Sequence, residues 1–173
     1  MGDIDSIWNS PVVGAYLLWK FSCGYCNKYP ESGKVLSKVA PAPHMAWAFP
    51  ALAILMQPKF SNYIKEKYDT LEQWVRFFVA ESHRNVFGSL TKDIIFRKQM
   101  ILESIDMAYT THLLGGTAER WVMKPLLEEE VKDMQSYSKR FRGDLGKKAE
   151  LLGMWFSFEE PSKISRLLEV TFA

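Results

Sequence analysis

Cys23-Gly24-Tyr25-Cys26 is the stretch of this chain whose residue types and spacing match a known chemistry. Two thiols separated by two residues at the start of a helix form a redox pair. The positive helix end lowers a thiolate pKa, and the second sulfur lies within disulfide reach. On that reading Val12 to Phe21 is a strand feeding a thioredoxin-like turn, and the protein is a thiol redox protein using Cys23 and Cys26. The rest of the chain argues against it, because residues 44–114 read helical almost throughout and supply no sheet. A zinc site would need two further ligands, whereas His44, His83 and His112 are scattered singly. The favoured reading is that both thiols pack as small hydrophobes.

Other candidate chemistry is thinner. Asp93, Glu103, Asp106 and His112 share one long helical segment, but helix charges ordinarily sit on the solvated face. Glu128-Glu129-Glu130 opens a helix, where carboxylates favour the positive dipole end without any metal. No phosphate-cradling glycine loop, Gly-x-Ser-x-Gly elbow or His-Glu-x-x-His pair is present. One local basic cluster stands out: Lys139, Arg140, Arg142, Lys147 and Lys148 place five cations within ten residues. They are candidates for DNA phosphate contact. The competing explanation is a solvated helix end, since cations favour the C-terminus of a helix that stops near Gly143.

The elements that would position these residues are mostly helices. Asn9 or Ser10 can cap a helix with Pro11 at its first position. From there Ala15, Leu18 and Trp19 form one face, widened by Val12 and Tyr16. No charge falls between Pro11 and Leu18, so this helix must lie against protein on most sides. Residues 27–43, with four prolines and glycines between Pro30 and Pro43, read as a connector. His44 to Gln57 is a short apolar helix, irregular at Pro50. Thr70 and Gln73 form a capping-box pair for a helix striped by Leu71, Trp74, Val75 and Phe78.

A long helix is expected from Asp93 to Leu114, with Ile94, Ile101, Leu102, Ile105, Ala108, Tyr109 and Leu113 inward and Gly115-Gly116 ending it. Residues 115–126 are either a small β-hairpin wing of a winged-helix-like domain or a helix-to-helix loop. Glu128 to Phe141 reads as a charged amphipathic helix, followed by helices over Leu145 to Phe158 and Ile164 to Val170. The expected fold is mainly α, a compact single helical domain over residues 1–173.

Two apolar segments carry a family resemblance. Asn9-Ser10-Pro11-Val12-Val13-Gly14-Ala15-Tyr16-Leu17-Leu18-Trp19-Lys20-Phe21, followed by Gly24-Tyr25, resembles the opening of the middle-component proteins of three-component ABC-ATPase systems. These are small subunits encoded beside an SMC/Rad50-like ATPase and an effector in prokaryotic defence operons, including the Lamassu type. Ala149-Glu150-Leu151-Leu152-Gly153-Met154-Trp155-Phe156 and Ile164-Ser165-Arg166-Leu167-Leu168 resemble two later segments of the same family. The family often finishes in Leu-Gly-Val-Arg-Pro, whereas here Leu168 is followed by Glu169-Val170-Thr171-Phe172.

The resemblance implies a non-catalytic adaptor that needs no cofactor. Its implied partners are an SMC/Rad50-like ABC ATPase and an effector nuclease, with DNA met through the complex. It also marks Tyr16, Trp19, Phe21, Tyr25, Trp155 and Phe156 as the expected partner interface or its support.

Composition agrees with a protein that buries much aromatic surface. Six Trp and eleven Phe among 173 residues exceed the usual share, and such side chains dominate cores and interfaces alike. A net charge of +2 is too small to attract nucleic acid through the global field. The first residues, Met1-Gly2-Asp3-Ile4-Asp5, are acidic where a secretory signal is basic. The apolar run Met45 to Met56 is too short to cross a bilayer. The expectation is a cytoplasmic protein without membrane or small-molecule partner. A free-standing winged-helix DNA-binding protein and the thiol redox protein are the alternatives.

Overall fold

The structure is a computed structural model that describes residues 10–26, 42–81, 87–116, 121–126 and 144–170. Within them the chain is mostly helical, with one two-stranded antiparallel hairpin. Helix α1 runs Pro11–Cys26, with its first turn closed by the Gly14 N–H on the Ser10 carbonyl at 3.0 Å. From Val13 to Tyr25 every residue but the half-buried Lys20 is buried, whereas Val12 before them is half exposed and turned outward.

A 3-10 turn over Met45–Trp47 leads into α2, Ala48–Leu55. His44 caps the turn, its Nδ1 accepting from the Ala46 N–H at 3.1 Å. Pro50 falls in the first turn of α2, where its missing N–H breaks no helical bond. The expected irregularity therefore becomes a 3-10 entry rather than a kink. A single turn, α3, spans Pro58–Ser61.

Helix α4, Leu71–Ala80, follows its sequence stripe, with Leu71, Trp74, Val75 and Phe78 buried. Thr70 Oγ1 accepts from the Gln73 N–H at 3.2 Å. The Gln73 side chain reaches back one residue beyond the cap, accepting from the Asp69 N–H at 3.0 Å. Helix α5, Leu90–Thr110, is the longest. It ends four residues before the expected stop at Leu114, because the chain turns at His112, which takes a left-handed φ of 57°. Gly115 is thus not a helix cap but part of strand β1, Leu114–Gly115, which pairs antiparallel with β2, Lys124–Pro125. Leu102, expected inward, is 42% exposed.

Helix α6 covers Leu145–Ser157 and α7 covers Pro161–Leu167. Helix α7 opens three residues earlier than expected, with Pro161 in its first turn. It closes with the Val170 N–H on the Ser165 carbonyl at 3.0 Å and Glu169 at φ 52°. That left-handed position is where glycine is favoured. It coincides with the point where this chain carries Glu after Leu168 instead of the Gly common in the resembled family. The connector over 27–43 lies almost entirely outside the described residues, as does the helix expected over 128–141.

The hairpin is held against the body of the protein. The Met45 N–H donates to the Trp121 carbonyl at 2.6 Å and the Met123 N–H to the Pro43 carbonyl at 2.8 Å. Tyr109 Oη donates to the Val122 carbonyl at 2.8 Å. Leu114 and Met123 are buried beneath it.

Candidate functional site

The two segments that carry the family-like residues meet in space. Helices α1 and α6 cross so closely that a side chain has no room at the crossing. A Cβ on Gly24 would overlap the Glu150 carbonyl group, and one on Gly153 would overlap the Phe21 carbonyl oxygen. A Cβ on Gly146 would lie 2.6 Å from the Tyr16 hydroxyl. Higher on α1, a Cβ on Gly14 would run into the Ser104 side chain of α5. Gly24 and Gly153 are therefore points of backbone contact, and the aromatics fill the space on either side.

Each expected interface residue has a place in this core. Phe21 meets Phe156 edge-on at 5.3 Å between ring centroids, and Trp47 meets Phe156 the same way at 5.6 Å. Tyr25 lies beside Phe21 at 6.5 Å, and Tyr16 beside Trp19 at 6.0 Å. Trp155 stacks on Trp74 at 6.0 Å and donates its Nε1–H to the Tyr68 carbonyl at 3.0 Å. The Trp19 Nε1–H donates to the Leu126 carbonyl at 3.2 Å, fastening the end of the hairpin to α1. Buried indole N–H groups ordinarily find such partners. Ser22 Oγ, Tyr68 Oη and Trp74 Nε1 are buried without one among the described residues. Tyr16, the most exposed of the six, shows 9% of its surface, and Trp19, Phe21, Trp155 and Phe156 show none. In this conformation their side chains support a surface and do not form it.

One ion pair spans the crossing. Lys20 Nζ donates to Glu150 Oε1 at 2.8 Å, with the ammonium 4.7 Å from the Trp19 ring centroid. Burial works against the charged lysine, but the Glu150 hydrogen bond and charge outweigh it and raise the Lys20 pKa above 10.5. Burial also raises the Tyr25 phenol, helped by the charges of Cys26 and Glu160. Away from the crossing, Lys163 bridges Glu72 at 3.0 Å and Glu159 at 2.7 Å, tying α7 to α4.

The thiol redox reading fails on placement. Cys23 and Cys26 lie in the last turn of α1 rather than at a helix start, and no disulfide joins them. The negative end of the helix dipole disfavours a thiolate there. Of the basic cluster, Lys139, Arg140 and Arg142 lie outside the described residues. Lys147 is exposed and faces Asp144 at 3.9 Å, and Lys148 is half-buried. Both line an open cavity of about 690 Å³ beside the crossing, together with Lys65, Glu66, Asp144 and Glu150. Acidic and basic side chains are interspersed along its lining.

Among the described residues no three of His, Cys, Asp and Glu converge as metal ligands, and no helix is long and apolar enough to cross a membrane. Periodicity marked the aromatic segments as buried, but it missed the ion pair of Lys20 with Glu150. The signal available was a lone charge in an otherwise apolar helix, which needs a partner when buried.

No curated protein and no solved structure matches the chain. A family model described as ABC-three component (ABC-3C) system Middle Component 3 matches residues 3–172, nearly the whole length. The chain therefore belongs to that family, as a middle component of an ABC-ATPase defence system.

Proposed function

We propose that this chain is a non-catalytic, cytoplasmic adaptor that binds an SMC/Rad50-like ABC ATPase and couples its state to an effector nuclease. The family match over residues 3–172 carries this reading. A subunit of that kind needs a stiff body whose surface keeps its shape when a partner pulls on it. The backbone contacts at Gly24 and Gly153 and the stacked aromatics around them supply that stiffness. In this scheme Tyr16, Trp19, Phe21, Tyr25, Trp155 and Phe156 serve assembly from inside, by holding the partner-facing surface in register. ATP and magnesium chemistry belongs to the ATPase. The cations Lys139, Arg140, Arg142, Lys147 and Lys148 touch DNA only in the assembled complex.

The test is co-expression of the chain with the ATPase component of its system, followed by co-purification. Stable capture of the ATPase is the expected result; a chain that captures no ATPase under any nucleotide condition overturns the adaptor role. For DNA, charge reversal of the five cations is expected to lower the affinity of the complex and flatten its salt dependence. Unchanged affinity and slope would remove the cluster from the proposal.

A further inference from the structure

Helix α5 carries an outward stripe of mixed apolar and charged residues, on the side away from the core. Lys92, Ile95, Gln99, Leu102 and Asp106 recur at alternating steps of three and four residues, and all five are exposed. That is the spacing of a coiled-coil seam, and it runs for about 21 Å along the helix. Ile95 is 68% exposed, Leu102 42%, and Phe96 beside them 82%. A large apolar group this exposed on a helix calls for a covering surface.

The seam has an internal symmetry. Gln99 lies at its centre, and an antiparallel copy turned about Gln99 brings residue pairs together from opposite ends. Lys92 then meets Asp106 of the second copy, Ile95 packs against Leu102, and both relations repeat across the two-fold, with Phe96 on the flank beside Glu103. A parallel pairing would set Lys92 against Lys92 and Asp106 against Asp106. Neither Lys92 nor Asp106 makes an ion pair among the described residues. An interface in which one patch is its own complement is the isologous kind that builds two-fold dimers.

We propose that the outward face of α5 is a self-association surface, on which a second copy of this chain docks antiparallel through Lys92, Ile95, Phe96, Gln99, Leu102 and Asp106. One seam of this length covers less area than a permanent dimer requires. The association is therefore weak, with a Kd on the order of ten micromolar. It is independent of the ATPase partnership proposed above.

Sedimentation velocity of the full chain over a concentration series tests this directly. Wild type is expected to pass from monomer to dimer. Lys92→Glu or Asp106→Lys alone is expected to weaken the dimer by about tenfold, because each sets like charges together across the two-fold. An equimolar mixture of the two variants is expected to dimerise again, since every pair is then opposite in sign. These residues are exposed, so circular dichroism is expected to show all variants folded. A chain that stays monomeric at about 200 µM, well above the expected Kd, overturns the proposal. So does a dimer indifferent to the charge swaps. If wild type is monomeric and Ile95→Asp abolishes only capture of the ATPase, the face is a heteromeric docking site and self-association is wrong.

Discussion

The crossing of α1 and α6 and the outward face of α5 are both apolar, but in different ways. At the crossing, glycines bring main chains into contact and large rings fill the remaining space, leaving Trp19, Phe21, Trp155 and Phe156 with no exposed surface. On α5 the apolar side chains are spaced out among Lys92, Gln99, Glu103 and Asp106, and water reaches all of them. Family-like residues concentrate in the first region, where their aromatic side chains are buried. The second region resembles no motif, yet it presents the apolar surface. Residues that carry the family resemblance are here the ones that build the body of the protein.

Substitutions at each region break or sharpen this contrast. The largest effect is expected for Gly153→Ala. Helix propensity alone would make it stabilising by about 1 kcal/mol. Overlap with the Phe21 carbonyl should instead destabilise the protein by roughly 3 kcal/mol or more. A urea melt with a higher midpoint than wild type would show that the helices are not in main-chain contact.

An intermediate effect, about 1 kcal/mol, is expected for Glu150→Gln, which leaves the mostly buried Lys20 ammonium without its counter-charge. The sign with pH follows from the raised Lys20 pKa. The folded state holds the proton more tightly than the unfolded chain, so the contribution is complete below pH 10.5 and is lost as pH rises through the raised value. On the alkaline side wild type should therefore keep its advantage over Glu150→Gln until strong alkali is reached; a constant gap between the two melts through that rise would contradict it. The smallest effect belongs to the outer face. Phe96→Ser should change stability by no more than about 0.5 kcal/mol, as measured by thermal melting. A large loss there would mean that the ring is covered within the monomer.

Much of the fold was legible where one periodic stripe had one meaning. Leu71, Trp74, Val75 and Phe78 faced inward as spaced, and Thr70 capped the helix they form. The family resemblance of the two aromatic segments also agrees with the match over residues 3–172. Helix α5 defeated the same reasoning because two stripes lie on it. Leu102 fits the inner series of Ile101 and Ile105 by sequence distance, yet belongs to the outer one. Its end was misplaced because Gly115-Gly116 imitates a helix stop, while the actual turn uses His112 in a conformation that a non-glycine residue seldom adopts. The glycine contacts were not legible at all. Their partners are main-chain atoms more than a hundred residues away, which no local pattern encodes.

The distance along the chain between α1 and α6 has a consequence for the order of events during synthesis. Lys20 and Glu150, which close the crossing, are 130 residues apart in sequence. A ribosome takes roughly 7–26 seconds to add a stretch of that length. Through that interval α1 is complete, nearly uncharged and without the helix that covers it. Contacts this remote also make folding slow once the chain is released. The nascent protein thus presents a long, nearly uncharged helix early and completes its cover late, so its yield depends on what holds α1 in the meantime.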